Sequence, residues 1–330
     1  MTQIVDSFLD SLKSKHTKYQ YKYHLRRFLK AVTGDFGVDA EERTANIINY
    51  LMAMKAEGLS YSYRTGALYA IKHYYVMNDV ILNWPKISKF LGENTVSNEI
   101  RGYTHEEIQK LLTVADVKYK AVILMLASTG MRREALIQIN PSTDMEYLED
   151  YKLYKIRIYR RTRFEQVCFS TPEASEAIKL HMNIHDKRYF HNVRPKAVTI
   201  RLRNLAIKAG IGQVHPDTET NIHGQFRDVI PAVHGLRKFT ITQMARAKVD
   251  TEIAKLLTGH SIGVRSRYLN YSDEDLLQEY LKAVDLLTIN NENRLKREIT
   301  SFISHNDELN TLKNELGELR DKLKGLGLIG

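Results

Sequence analysis

Apolar residues in the first third of the chain recur at helical spacing. Val5, Phe8, Leu9 and Leu12 lie three or four residues apart, which puts their side chains on one face of a helix. The same period returns three times before N-W-P at 83–85 interrupts it. We predict four short helices in a compact all-α domain, residues 1–91. The later apolar stripes are Tyr21, Leu25, Phe28, Leu29; Ile47, Ile48, Leu51, Met52; and Leu68, Ile71, Tyr74, Tyr75.

A different pattern follows residues 92–102, a polar stretch without helical period that we interpret as an interdomain linker. Thr104 and Glu107 have the spacing of a capping box, and 121–127 is apolar enough for a buried helix. Residues 151–171 alternate like two strands around a basic turn. We therefore predict a second domain, residues 103–289, and an α+β fold class that is mainly α with a small β-hairpin.

Four helices are predicted after the hairpin region, the first of them over residues 171–185. Residues 196–210 form a basic amphipathic helix that Gly210 stops, and we expect single helices over 245–257 and 275–289. Beyond residue 289, apolar residues recur every seven positions, which predicts a helical coiled-coil extension, residues 290–330. A helix that folds back on the core is the alternative. The seam consists of Leu295, Phe302, Leu309, Leu316 and Leu323.

Charge indicates the kind of partner. The 330 residues carry 49 Lys and Arg against 39 Asp and Glu, a formal net charge of +10, which favours a polyanion. The sequence has no apolar run of membrane-spanning length and no signal-peptide pattern at its start, so we expect a cytoplasmic protein. The single cysteine, Cys168, lies in a predicted strand and is expected in the core.

Basic residues in the first domain are interleaved with tyrosines. One interpretation is that the basic side chains contact DNA phosphates, which positions a duplex without reading its sequence. The other is a solvated helix face with the tyrosines packed in the core. The candidates for phosphate contact are Lys15, Lys18, Lys22, Arg26, Arg27 and Arg64.

The chemistry is concentrated in one later stretch. It reads His234-Gly-Leu-Arg237, then L-L-T-G-His260, with Tyr268 eight and Tyr271 eleven residues further on. An arginine fork matches two phosphate oxygens, a histidine can move a proton near neutral pH, and a tyrosine among cations can act as a nucleophile. The stretch indicates attack on a phosphodiester.

With S-T-G-M-Arg132 upstream, these boxes resemble those of the tyrosine recombinase (phage integrase) family, and archaeal members are the most similar. The resemblance spans 103–289. It implies an amino-terminal core-binding domain that clamps double-stranded DNA and a DNA breaking-rejoining catalytic domain. It also implies a homotetramer on paired sites, without metal or cofactor. Arg132 and Arg237 would hold the oxygens of the scissile phosphate, with His234 and His260 beside them.

Two positions depart from the family pattern. The acidic residue usual three positions after the first arginine is Ala135, so Glu134 is the alternative support for Arg132. The hairpin lysine is replaced by Arg160, which is a poor proton donor because of its high pKa. The general acid is open between Arg160, Lys155 and a histidine. Arg161 and Arg163 are further candidates for DNA contact, and a basic hairpin without catalytic duty is the alternative.

Two choices remain within the second domain. We favour Tyr268 as nucleophile over Tyr271, because the commoner family spacing from the second histidine is nine residues. His181 and His185 stand four apart in a predicted helix, which resembles a metal-binding pair. They lack the companions of such a site, and we expect a surface pair without metal.

The expected function is site-specific DNA recombination through a 3′-phosphotyrosine intermediate and a four-way junction. A type IB topoisomerase has a similar set of residues and is one alternative. A DNA-binding protein that has lost catalysis is the other, since the hairpin lysine and the usual acidic residue are both replaced.

Overall fold

A computed structural model gives the structure of the chain and describes residues 2–32, 39–94, 100–162, 164–185, 195–211, 230–260 and 270–295, together with 299 and 313. The described residues form two compact units that part between positions 94 and 100. Each unit has its own hydrophobic core.

The first unit is all helical. Its helices begin after side chains that accept backbone N–H bonds: Ser14, Asp39, Ser60 and Asn83 cap four of them. The helices are α1 (Thr2–Ser11), α2 (Lys15–Ala31), α3 (Ala40–Ala56), α4 (Tyr61–Met77) and α5 (Trp84–Ser88), followed by a 3₁₀ turn, Lys89–Leu91.

The four predicted helices are present, with two differences in detail. The buried methionine of α3 is Met54, whereas Met52 is 53% exposed, because Met54 continues the face of Ile47 and Leu51. N-W-P does not only interrupt the pattern. Asn83 caps α5 and Pro85 lies in its first turn, where a missing N–H costs nothing.

The second unit surrounds a small sheet with helices, as the α+β class predicted. The capping box at Thr104 and Glu107 begins its first helix as expected. Its helices are α6 (His105–Val114), α7 (Val117–Thr129), α8 (Arg133–Leu136), α9 (Pro141–Asp144), α10 (Pro172–His185), α11 (Pro195–Lys208), α12 (Ala232–Arg246), α13 (Thr251–Leu257), α14 (Asp273–Leu281) and α15 (Val284–Leu287).

The sheet has three antiparallel strands, β1 (Met145–Leu148), β2 (Leu153–Ile158) and β3 (Gln166–Phe169), in the order β1-β2-β3. The predicted hairpin is β2 and β3, and β1 was not predicted. In the register, Met145 lies opposite Ile156 and Ile158 lies opposite Gln166. The sheet packs against α10, α13 and α14.

Helix α7 lies at the centre of the second unit and is buried from residue 121 to residue 129. It packs between α10 and α12. Thr240 of α12 donates from Oγ1 to the carbonyl of Ala127 at 2.8 Å, which fixes the two helices against each other. The end of α7 and the middle of α12 therefore meet, and the candidate site is there.

Two predicted helices are each divided in the structure, so those predictions are wrong. Residues 245–257 contain a break where Lys248 has a positive φ of 56° and Asp250 caps α13. Residues 275–289 contain a break at Lys282 and Ala283, between α14 and α15. The apolar face of the second stretch is nevertheless buried at Leu276, Tyr280 and Leu287.

Cys168 is buried in β3 as predicted, and burial raises the pKa of its thiol to about 12. His181 corrects the prediction of a surface pair, since its side chain is 2% exposed in the core of the second unit. The heptad positions beyond Leu295, residues 212–229 and the side chain of His185 lie outside the described residues.

Candidate active site

A cleft of about 450 Å³ in the second unit brings together residues that are far apart in sequence. Four of its lining residues are Arg132, His234, Arg237 and His260. These are the four arginine and histidine positions singled out in the sequence boxes. They arrive from the N-cap of α8, from α12 and from the residues after α13.

Arg237 is held by the end of a neighbouring helix. Helix α7 ends at Gly130, which adopts a left-handed conformation with φ 61°. The carbonyl oxygen of Gly130 accepts a 2.6 Å bond from Nη1 of Arg237, whose side chain is only 5% exposed. Two residues later, Arg132 occupies the N-cap of α8 and is exposed. The turn after α7 therefore positions one arginine and carries the other.

The contacts of His260 favour one tautomer of its ring. The hydroxyl of Thr258 donates to the carbonyl of Ala254 at 2.7 Å, so it accepts the bond from Nδ1 of His260 at 2.9 Å. The proton is then on Nδ1 and the lone pair on Nε2. Nη2 of Arg237 lies 3.1 Å from Nε2 and 3.3 Å from Nδ1, and Nε2 is the nitrogen that can accept from it in this tautomer. The neutral ring is the form that fits these contacts.

Gly259 allows Gln166 and Arg132 to lie close to the backbone just before His260. Its backbone has a φ of 69°, which residues other than glycine rarely adopt. A Cβ atom there would lie 2.1 Å from Oε1 of Gln166 and 3.2 Å from Nη1 of Arg132. Glycine in the T-G-H box is therefore required by the backbone and by the packing of β3 and Arg132 around it.

The cleft is electrostatically positive. Burial, and then the charge of Arg132, lowers the pKa of Arg237 to about 10. Burial lowers the pKa of His234, and Arg237 lowers it further. Burial followed by Arg237 and Arg132 also lowers the pKa of His260. Both rings are therefore neutral at neutral pH, and an anion entering the cleft would relieve the repulsion between the cations.

Arg160 is placed differently from its predicted role. It is not among the residues that line the cleft. Its Nη1 donates to the carbonyl of Thr143 at 2.6 Å and lies 3.4 Å from Oδ1 of Asp144, so the side chain is directed to α9. Lys155 is also outside the lining set and is paired with Glu146 and Asp273. Of the three general acids considered, the histidines are the ones that line the cleft.

Glu134 lines the cleft, but its bond differs from the one considered in the sequence. Its Oε1 accepts from Nε of the adjacent Arg133 at 2.6 Å. Arg133 also donates to Oγ1 of Thr199 on α11 at 2.8 Å. The interaction shown for this carboxylate is therefore with Arg133, and Arg132 packs against Gly259.

The two candidate nucleophiles differ in what the structure describes. Tyr268 and Arg163 lie outside the described residues. Tyr271 is half-buried and packs against the core of the second unit. Arg161 is exposed in the β2–β3 turn, with a positive φ of 60°, and its backbone N–H donates to Glu165.

The predicted phosphate-binding residues of the first unit fall into three groups. Arg64 is 8% exposed and donates to the carbonyls of Leu59 and Leu91, so it stabilises the fold and the prediction of phosphate contact does not fit it. Arg27 and Lys18 are paired with Glu57 and Asp10. The side chains on the outer surface of α2 are Lys15 and Arg26, with Lys22 half-buried beside them.

Some residues around the cleft were not predicted from the sequence. Thr258 lies 2.9 Å from Nδ1 of His260 through its hydroxyl, and Gln166 holds the end of α13 through a 2.5 Å bond from Nε2 to the carbonyl of Leu257. Tyr159 is half-buried where burial and Glu134 raise the pKa of its phenol while Arg132 and Arg237 lower it. A signal was available for Thr258, which directly precedes the G-H pair.

Two general features of the structure bear on its partners. Among the described ranges, no group of three or more His, Cys, Asp and Glu side chains is arranged to hold a metal ion. The helices in the same ranges all fall short of the length and apolar character that a bilayer crossing requires.

Comparison with known proteins places this fold. No family model matches the sequence, and no curated protein matches it. Solved structures do match. The Tn1549 transposon integrase in complex with transposon right-end DNA has 13% identity and a TM-score of 0.59, covering 85% of this chain and 98% of that chain. A lambda integrase dimer bound to a COC′ core site has 13% identity and a TM-score of 0.56, covering 85% and 95%.

A lambda integrase tetramer bound to a Holliday junction matches with 12% identity and a TM-score of 0.57, covering 83% of this chain and 77% of that chain. At such identities the likeness establishes the shared fold. The chain therefore shares its fold with these integrases, which confirms the fold that the sequence boxes predicted.

Proposed function

We propose that this chain is a site-specific DNA recombinase that cuts and rejoins strands through a 3′-phosphotyrosine. The observation that carries the proposal is the cleft, where Arg132, Arg237, His234 and His260 meet on the fold of the integrases. Two guanidinium groups and two neutral imidazoles are the groups needed to bind a phosphodiester and move one proton.

The two arginines would bind the scissile phosphate. Arg237 uses Nη1 for the carbonyl of Gly130 and has Nη2 beside His260, and its remaining N–H groups would bind a non-bridging oxygen. Arg132 is exposed at the mouth of the same cleft and can contact the other oxygen. Both charges would stabilise the transition state, in which negative charge builds up on these oxygens.

The neutral histidines would move the proton. Tyr268 attacks phosphorus through Oη, the bond from phosphorus to the 5′-oxygen breaks, and the phenolic proton passes to an imidazole. The imidazolium then protonates the departing 5′-oxygen. The reverse sequence, with a 5′-hydroxyl from another strand as the attacking group, rejoins the DNA and returns the tyrosine. No bond energy is lost in the exchange, so no nucleotide is consumed.

Exchange between two duplexes requires several protomers. The lambda integrase tetramer on a Holliday junction has the same fold, and we extend that assembly to this chain as part of the proposal. The net charge of +10 supports DNA as the polyanionic partner.

The test is to trap the covalent intermediate. A duplex site is first selected by the protein from a random pool and then prepared with a nick, so that the cut end is lost by diffusion. Wild type, Tyr268→Phe and Tyr271→Phe are incubated with it, and a denaturation-resistant protein–DNA adduct is measured. We expect the adduct in wild type and in Tyr271→Phe, and its loss in Tyr268→Phe.

Other outcomes select the alternatives. Loss only in Tyr271→Phe would keep the activity and change the nucleophile. Relaxation of supercoiled plasmid without site preference would favour a type IB topoisomerase. Tight binding of the selected site without any adduct would overturn the proposal in favour of a DNA-binding protein without catalysis.

A further inference from the structure

The β2–β3 hairpin contacts both ends of the stretch that carries the candidate nucleophiles. This stretch begins at Thr258, directly after α13, and ends at Ser272, directly before α14. At its first end lies Gln166 of β3, and at its second end lie Lys155 and Arg157 of β2. One pair of strands thus holds the chain before and after Tyr268 and Tyr271.

The second end is held by charge. Asp273 is the first residue of α14 and forms ion pairs with both Lys155 and Arg157. Lys155 lies 3.3 Å from Oδ2 of Asp273 and 2.5 Å from Oε2 of Glu146 on β1, with a side chain only 16% exposed. Two cations of one strand therefore converge on one carboxylate. Because the pairs are partly buried, water and salt screen them less than exposed pairs.

The first end is held by a buried amide. Gln166 is 6% exposed, donates to the carbonyl of Leu257 at 2.5 Å and leaves no space for a Cβ at Gly259. The register pairs Gln166 with Ile158 and Val167 with Arg157. Since side chains alternate along a strand, the amide anchor and the ionic anchor are on opposite faces of the hairpin.

Resting on the proposed function, we propose that Asp273 is a positioning residue for the tyrosine that attacks DNA. Lys155 and Arg157 hold its carboxylate, and so fix the end of the tyrosine-bearing stretch relative to Gln166 and His260. A displacement of about 1 Å in a reacting group can cost about a hundredfold in rate. Lys155 and Arg157 thereby act on the reaction through Asp273 and not as proton donors.

The experiment uses the full chain and the selected, nicked duplex described above. Asp273→Asn removes the charge and keeps the shape, and Asp273→Glu restores a carboxylate. Glu274→Gln is the matched control, since it removes one negative charge from the same turn of α14 at a residue that bonds to Gln278 on its own helix. Three quantities are measured: the adduct rate at saturating DNA, the Kd for the duplex and the melting temperature.

We expect Asp273→Asn to slow adduct formation by about tenfold to a hundredfold, with a Kd equal to that of the control and substantial recovery in Asp273→Glu. A rate equal to that of Glu274→Gln would overturn the inference. So would a rate that stays as low in Asp273→Glu as in Asp273→Asn, or a Kd that rises as the rate falls.

Two further outcomes are informative. If Asp273→Asn does not fold, Lys155→Met and Arg157→Met remove the partners instead, and wild-type rates in both would overturn the inference. If wild type itself forms no adduct on the duplex that it binds, the proposed function fails. An adduct in wild type with a normal rate in Asp273→Asn leaves the function intact and removes only the role of Asp273.

Discussion

Nη2 of Arg237 lies 3.1 Å from Nε2 of His260 and 3.3 Å from Nδ1 of the same ring. An arginine cannot give up its proton under ordinary conditions, so one of the two imidazole nitrogens beside it must be the acceptor. A second proton on the ring would place two N–H groups against each other. Burial lowers the pKa of His260, and this contact with Arg237 lowers it further.

This arrangement predicts the pH dependence of the reaction. The pKa values of His234 and His260 lie below the ordinary 6.5. An imidazole that takes the tyrosine proton must be neutral, so the second-order rate of adduct formation should be constant above pH 6.5. It should fall as the pH drops through the lowered pKa. That rate at subsaturating DNA reports the free protein, and it should be measured from pH 5 to 8.

The same shifts affect stability with a defined sign. A histidine whose pKa is depressed by folding binds its proton more readily when unfolded, so the stability it contributes is present above pH 6.5 and is lost as the pH falls. NMR titration of the ring protons without DNA provides the check. A His260 ring that titrates above 6.5 would contradict both the tautomer and the rate profile.

Arg237→Lys should separate binding geometry from charge. A lysine is a point charge without the fork that serves the Gly130 carbonyl and a phosphate together. We expect adduct formation to fall by about a hundredfold to a thousandfold, with folding retained.

Arg133→Lys is the matched control for this change. Arg133 lines the same cleft but is bonded to Glu134 and Thr199. The rate of adduct formation in Arg133→Lys should therefore stay close to that of wild type. Equal losses in Arg133→Lys and Arg237→Lys would show that any change of a cleft arginine is harmful, and the specific role of Arg237 would be lost.

Gly259→Ala should destabilise the second unit. The new Cβ would meet Gln166 at 2.1 Å at a φ of 69°, and we expect a loss of about 2–4 kcal/mol from backbone strain and overpacking together. Gly210→Ala isolates the backbone part, because Gly210 has a φ of 66° and nothing within 4 Å of an added Cβ. It should cost about 1 kcal/mol. Calorimetric melting of both variants measures the difference, and equal shifts would contradict the packing argument.

Replacement of Arg26 should affect DNA binding, whereas replacement of Arg64 should affect thermal stability. Arg26 is exposed on α2, so Arg26→Ala should weaken DNA binding and reduce the slope of log affinity against log salt by about 1. Arg64→Ala leaves the carbonyls of Leu59 and Leu91 without their buried donor. It should lower the melting temperature and leave the slope unchanged. A change in the slope of log affinity against log salt in Arg64→Ala would show that Arg64 contacts DNA after all.

Much of the fold could be predicted because amphipathic periods are long and regular. The helices of the first unit follow directly from them. The break after α12 could not be predicted, because Lys248 takes a positive φ without glycine or proline to signal it. Strand β1 was missed because four residues, M-E-Y-L, are too few to show an alternation.

The candidate site could be predicted in its residue types and only partly in its geometry. The arginines and histidines of the boxes do line one cleft. The direction of Arg160 towards α9 depends on a contact with Thr143, 17 residues away in sequence. The burial of His181 likewise depends on packing against neighbouring elements, which the local sequence does not report.

The bond between Gly130 and Arg237 joins positions 107 residues apart, and its consequence concerns protein synthesis. Contacts of this range form late, since the chain between them must first be closed into a loop. A nascent chain that has emerged only as far as α11 carries Arg132 but has neither its partner arginine nor either imidazole. A ribosome-bound or truncated product of that length therefore lacks Arg237, His234 and His260, three of the four cleft side chains that the proposed mechanism uses, so the proposed cutting step has to wait for α12 and the residues after α13.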